Sequence, residues 1–151
     1  VSRSDAETTP FDSLPLLAAM FALLSQSAAA DAGLSVTVTG LKHDGAELRC
    51  ALFSKPDGYP TEAAATLKTI GVIAGGKGVC RFESAPVGTL AVAAYEDANG
   101  NQKLDTNALG IPKEAYAFSR DARGRVGPPK FDAAAFAYAG GAMEVTLKAE
   151  Y

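Results

Sequence analysis

The segment LSVTVT, residues 34–39, alternates apolar and hydroxyl side chains without a break. Leu34, Val36 and Val38 fall on one side and Ser35, Thr37 and Thr39 on the other, the period of a β-strand with one buried face. The period returns in ELRCALF (47–53), where Leu48, Cys50 and Leu52 share a face, and in VCRFE (79–83), where Cys80 lies with Phe82. LAVAAYE (90–96) repeats it with Leu90, Val92 and Ala94, and MEVTLKA (143–149) with Met143, Val145 and Leu147. Between these runs stand HDGAE, KPDGYP, AGGKG and SAPVG, each with the Gly, Pro or Asp that a change of chain direction needs. The pattern predicts an all-β fold of about six or seven strands in two packed sheets, a sandwich of immunoglobulin-like or transthyretin-like kind. LKTIGVI (67–73) is a weaker strand, FDAAAFAYA (131–139) suits either a strand or a short helix, and Thr61 can cap a short helix in PTEAAATL. From Asp97 to Lys130 regular periodicity all but disappears, so one long irregular loop is expected there, of the kind that carries function.

The first thirty residues differ from the rest. The apolar run LPLLAAMFALL, Leu14 to Leu24, is followed by SQSAAA, which has the form of a secretory signal cleaved after Ala30. The run is shorter than the roughly 20 residues of a membrane span. Acidic residues ahead of it, Asp5, Glu7 and Asp12 against Arg3, are unusual for such a signal, and a buried helix is the competing interpretation. On the export reading, residues 31–151 form a single domain, periplasmic or secreted. Its net charge falls from −3 to −1 once Arg3, Asp5, Glu7 and Asp12 are gone. That balance excludes nucleic acid as an expected partner. The expected product is a monomer without a membrane span that meets an envelope ligand or protein. In an oxidising compartment Cys50 and Cys80, the two cysteines of the chain, are expected to pair, because strand parity points both into one core; two buried thiols are the alternative.

The irregular stretch opens with EDANGNQKLDTNALGIPKE. Asp97, Asn99, Asn101 and Asp105 occupy positions 1, 3, 5 and 9 of an EF-hand-like spacing, with the carbonyl of Lys103 at position 7, a set of oxygens suited to calcium. Position 12 is Ala108 where a bidentate glutamate belongs, and position 6 is Gln102 where glycine is preferred. The competing reading is a plain turn about Asn99-Gly100, with the flanking Asp and Asn bonded to backbone. Further on, Arg120, Arg123, Arg125 and Lys130 lie among Tyr116, Phe118 and Phe131, a cationic, aromatic-flanked segment that can hold an anionic or glycan ligand or a protein partner. Alternatively the aromatics cap the sandwich while the charges are solvated.

Enzyme signatures are sparse. His43 is the sole histidine, which excludes a multi-histidine zinc site, and no G-x-S-x-G occurs. Glu96, Asp97, Asp105 and Glu114 leave open a carboxylate-dependent hydrolase acting on an envelope glycan or other small substrate.

The run GTLAVAAYEDANGNQKLDTNALGIPKEAYAFS, followed by GPPKFDAAAF, resembles the bacterial exported family known as domain of unknown function 2141. Its shared pattern is D-x-N-x-N-x-x-x-D, then G-I-P-x-E, an aromatic-F-S step and G-P-P-x-F. Here this marks Asp97, Asn99, Asn101, Asp105, Gly110, Ile111, Pro112, Glu114, Phe118, Ser119, Pro128, Pro129 and Phe131. The resemblance implies export and a β-sandwich, and implies no activity. With the loop chemistry it nominates Glu114, Tyr116, Phe118, Ser119 and Arg120 as ligand contacts beside the candidate calcium ligands.

Overall fold

The computed structural model describes residues 32–151; the expected signal segment lies outside them. Eight strands appear among the described residues: β1 (Leu34–Thr39), β2 (Glu47–Phe53), β3 (Leu67–Val72), β4 (Lys77–Phe82), β5 (Gly88–Asp97), β6 (Tyr116–Phe118), β7 (Phe136–Tyr138) and β8 (Met143–Lys148). They form two sheets. One runs β4-β1-β8, with β8 parallel to β1; the other runs β3-β2-β5-β6, with β7 also paired to β5. The all-β sandwich expected from the alternation is the observed architecture.

The alternating faces meet as their parity dictates. Leu34, Val36, Val38, Phe82 and Leu147 from the three-stranded sheet pack against Leu48, Leu52, Leu90, Val92 and Ala94 from the other. Cys50 of β2 and Cys80 of β4 are bonded across this core, their Cα atoms 6.4 Å apart. The bridge closes a 30-residue separation, which in the chain-entropy account contributes about 3–4 kcal/mol. The hairpin between β3 and β4 carries the chain from one sheet to the other, and Gly71 is what lets the two backbones touch. A Cβ there would lie 2.2 Å from the Val79 carbonyl oxygen.

Three local expectations resolve differently. The ambiguous segment 131–139 is both things in turn, a one-turn helix α1 (Phe131–Ala134) and then β7. The short turn Glu62–Ala64 is 3-10, and Thr61 meets it with its carbonyl, which accepts the Ala64 N–H at 2.9 Å, while its side chain makes no capping bond. The start of this turn is open to solvent, so water can serve its unpaired N–H groups in place of the hydroxyl. The long irregular stretch is interrupted by β6, whose three residues pair with Ala93–Tyr95 of β5 but are too few to show a period. No helix among the described residues is long and apolar enough to cross a membrane.

A second apolar cluster lies on the outer face of the larger sheet. Phe53 and Ala91 cluster there with Phe131 and Ala134 of α1, Tyr59 and Phe118 pack against them, and Ala51 lies at the cluster's edge, where it also borders the open part of the face. Tyr59 meets Phe53 and Phe131 edge-on, at centroid distances of 5.0 and 5.7 Å. This cover spans only one end of the face. The remainder is open, and it is there that the long loops gather.

Candidate functional site

Strand register composes the open part of the face. One cross-strand row reads Ile70, Arg49, Tyr95, Tyr116 from β3 to β6; the next reads Lys68, Ala51, Ala93, Phe118. Two alanines at the centre of the second row, flanked by long side chains, leave a depression. The loop 98–115 walls one side through Gln102, Lys103, Leu104 and Leu109–Pro112, and the segment 124–128 walls another. Gly124 allows that second wall to fold on itself, since a Cβ would come within 2.1 Å of the Gly127 carbonyl oxygen. The result is a groove of about 1060 Å³, the size of a small-molecule site. Its apolar lining is unusually open to water for large side chains: Ile70 is 52% exposed, Leu109 84% and Val126 97%.

Two polar atoms on the groove's central row lack partners. Arg49 Nη1 bonds Glu47 Oε2 at 3.0 Å and its Nη2 stands 3.8 Å from Glu62 Oε1, yet its buried Nε makes no hydrogen bond. The buried hydroxyl of Tyr95, the direct cross-strand neighbour of Arg49, lies close enough to the guanidinium to feel it but forms no hydrogen bond of good geometry. Burial, with the charge of Glu62, pushes the Tyr95 phenol up to about 12, against the opposing pull of the Arg49 guanidinium. An unsatisfied buried donor costs about 1–3 kcal/mol, so the row holds hydrogen-bonding capacity the protein itself does not use.

The acid-rich loop is tied by its own groups. Asp97, almost fully buried, accepts the Asn101 N–H at 3.0 Å and the Gln102 N–H at 2.7 Å, one on each oxygen. Asn99 Oδ1 accepts the Asn101 N–H and Asn101 Oδ1 the Lys103 N–H, while both amide NH2 groups donate to Asp105, at 2.5 and 2.8 Å. Those two amides, Asn101 first, hold the exposed Asp105 carboxyl below the usual aspartate range. Gln102 adopts φ = 63°, the left-handed turn that an EF-hand-like loop asks of its sixth position. Among the described residues no three His, Cys, Asp or Glu side chains converge as a metal centre; any cation here leans on the two asparagine oxygens, each with a second lone pair to offer.

The nominated ligand residues divide between groove and interior. Tyr116, Phe118, Lys103 and Arg125 line the groove. Glu114 is buried and braces the loop, accepting the Ala98 N–H at 2.9 Å and the Asp105 N–H at 3.0 Å. Ser119 is buried too: its Oγ accepts the Val92 N–H at 2.9 Å and donates to the Ala134 carbonyl at 2.5 Å. It fills the gap along β5 where β6 has ended and β7 has not begun. Arg120, in the left-handed region at φ = 60°, is exposed and donates to the Ala135 carbonyl. Arg49, Tyr95, Ala51 and Ala93 escaped the sequence reading; their one signal is position, on the solvent-facing parity of β2 and β5.

The run D-x-N-x-N, G-I-P-x-E and G-P-P-x-F thus maps onto the two walls and their braces. A family model described as an uncharacterized protein conserved in bacteria, DUF2141, matches residues 36–146. The chain belongs to the DUF2141 family. The match covers all eight strands but for the first and last residues of the sandwich. No curated protein and no solved structure matches the chain at significance. In this DUF2141 protein the strand that leads into the wall loop ends on two buried acids, and the first of them, Glu96, is fully enclosed at the sandwich end.

Glu96 Oε1 accepts the backbone N–H groups of His43 (2.7 Å) and Lys42 (3.2 Å); Oε2 meets His43 Nδ1 at 3.1 Å and accepts the Tyr151 hydroxyl at 3.3 Å. Burial pushes this carboxyl up, but the His43 N–H, the His43 ring and the Lys42 N–H outweigh it and hold the group below the usual glutamate range. A carboxyl depressed by folding stabilises the fold above its unfolded pKa of about 4.3, and that contribution is lost as pH falls through the folded value. Glu96→Gln is therefore expected to lower the urea midpoint at pH 7, with the gap to wild type narrowing below about pH 4. A gap that stays constant from pH 7 to pH 3 excludes this linkage.

Proposed function

We propose that this protein is an exported binding module that takes its ligand in the groove on the outer face of the five-stranded sheet. The observation that carries the reading is the central row of that face, where Arg49 Nε and the Tyr95 hydroxyl stand unpartnered beside a concavity floored by Ala51 and Ala93. Concave, largely apolar sites with a few unspent polar groups are where small molecules bind. The neutral dye N-phenyl-1-naphthylamine tests capacity alone: its fluorescence is expected to rise on addition of protein, with a Kd of order 10⁻⁵ M or tighter. Ala93→Trp, which fills the floor from a strand position, is expected to abolish the rise while leaving the unfolding free energy from urea titration within about 1 kcal/mol of wild type. Dye binding indifferent to Ala93→Trp sinks the groove as the site.

Export rests on the apolar run Leu14–Leu24 ahead of Ala30 and agrees with the Cys50–Cys80 bond, which an oxidising compartment maintains. Mature protein from the native host is expected to begin at Asp31, by N-terminal sequencing. Recovery of the chain from the cytosol with residues before Ala30 attached counts against a periplasmic or secreted location.

Calcium is the ion proposed for the wall loop, with Asp97, Asn99, Asn101, Asp105 and the Lys103 carbonyl as ligands. The supporting observation is the left-handed Gln102 at the sixth position, strained by about 1 kcal/mol and held by Asp97. With an extracellular-type Kd of about 10⁻⁴ M, calcium at about 10⁻² M adds roughly 2.7 kcal/mol of stability. A melting shift of several degrees is expected, absent in Asp97→Ala and weak with magnesium, which holds its water. Gln102→Gly is expected to raise the melting temperature with or without calcium. An unmoved wild-type melting curve leaves the loop as a hydrogen-bonded turn. The alternative of a carboxylate-dependent hydrolase has less behind it, since Glu96, Asp97, Asp105 and Glu114 each accept hydrogen bonds from the protein's own groups.

A further inference from the structure

The lining of the groove carries an uneven charge. Arg49, Lys68, Lys103 and Arg125 stand among the lining residues against Glu62 alone. Glu62 is shared, 3.8 Å from Arg49 Nη2 and 3.9 Å from Lys68 Nζ, and Glu47 beside the groove bonds Arg49 Nη1, so two acids offset part of the charge of Arg49 and Lys68 and leave Lys103 and Arg125 as the surplus. The remaining walls, Ile70, Leu109, Ile111 and Val126, are large, exposed and apolar, and the ring of Phe118 stands near the alanine floor. Resting on the reading of the groove as the ligand site, we propose that its ligand is a small amphiphile: an apolar body lying over Ala51 and Ala93, and a single acidic headgroup met by Arg49 and Tyr95.

The geometry favours this occupant on three counts. Glu47 and the more distant Glu62 occupy the tips of the Arg49 fork and leave its Nε–H without a partner, so an incoming acceptor meets a donor the protein has not spent. Tyr95 offers a hydroxyl in the same cross-strand row, and two donors side by side suit the two oxygens of one carboxylate. The concavity, at about 1060 Å³, has the dimensions of a small-molecule pocket, whereas protein partners favour broader and flatter contact. Both unpartnered atoms are covered as the side chains now stand, so the Arg49 guanidinium must turn as a rigid plane, giving up its contact with the half-exposed Glu47, to present Nε–H to a headgroup.

Titration calorimetry of the whole protein with three probes that share a twelve-carbon chain, each kept below its micelle or solubility limit, tests the assignment: dodecanoate, dodecanol and dodecyltrimethylammonium. Dodecanoate is expected to bind at least about tenfold more tightly than dodecanol, the effect of a charge-assisted bond in a partly dry site, and the ammonium most weakly. Tyr95→Phe is expected to weaken dodecanoate severalfold and leave dodecanol unchanged. Arg49→Met is expected to erase the preference for the acid; should that variant fold poorly with Glu47 and Glu62 unpaired, Tyr95→Phe still decides. Equal binding of acid and alcohol overturns the acidic headgroup and leaves the groove reading intact, as does binding of the naphthylamine dye without either. If neither the dye nor any twelve-carbon probe binds, both readings fall. A dimer in sedimentation that Ala93→Trp dissociates also overturns the proposal, because a second copy then covers the groove.

Discussion

The ten-residue strand β5 pairs on both edges, and much of the molecule is arranged around that fact. Along one edge it meets all of β2; along the other it meets β6 near its C-terminal end and β7 near its N-terminal end. The strand is too long for either short partner. At Val92, between them, backbone N–H and C=O groups stand with no neighbouring strand, buried where water cannot satisfy them. Ser119 answers the N–H with its Oγ, and a backbone turned left-handed at Arg120 and Asp121 follows at once. Asp121 in turn accepts the Lys148 N–H, so the same turn ties the two sheets together at that side. The aromatic-Phe-Ser step is in this light a splice in a sheet edge.

The far end of β5 does a second job. Two successive acids, Glu96 and Asp97, point to opposite sides of the strand, as period two requires, and both are buried. Glu96 turns inward and gathers the 42–43 backbone; Asp97 turns outward and gathers the start of the wall loop. Glu114, just before β6, grips the same loop from its return side at Ala98 and Asp105. A buried carboxylate is tolerable only when its oxygens are filled by donors, and here the donors are main-chain N–H groups of segments that lack strand partners. Loop order is thereby drawn from the sheet rather than from a core of the loop's own.

What could be foreseen from the sequence followed from how local the governing physics is. Alternation at Leu34–Thr39 or Met143–Lys148 is a property of six adjacent residues, and parity alone aimed Cys50 and Cys80 into one core. The left-handed demand at Gln102 was also local, being set by spacing from Asp97. The groove was not legible in the same way. Arg49 and Tyr95 are far apart in the chain, and only the hydrogen-bonded register of β2 against β5 makes them neighbours. Ser119 was hidden for a related reason: its partners exist only because β6 stops where it does. Tyr116 and Phe118 could be nominated as aromatics flanking a cationic segment, but Ala93 opposite Phe118 and Ala51 beyond it, which make the space, carry no signal in composition.

The outer face of the larger sheet is treated in two ways, and the contrast bears on function. At one end α1 and the Tyr59 cluster seal it with aromatic edge-to-face contacts. At the other, the face is left open although its borders bear Ile70, Leu109, Ile111 and Val126, whose exposure forgoes hydrophobic stabilisation that a modest repacking could recover. Collapse of the walls onto Ala51 and Ala93 is the obvious way to recover it. The carboxylate anchors at Asp97 and Glu114 oppose that collapse, because moving the loop inward strips hydrogen bonds from buried charges, a loss larger than the gain from covering one or two side chains. On the proposed reading of the groove as a ligand site, walls held apart in this manner need little ordering on binding, and less of the binding free energy is consumed in fixing the site. The acid-rich loop and the open groove are on this argument one device, the first keeping the second from closing.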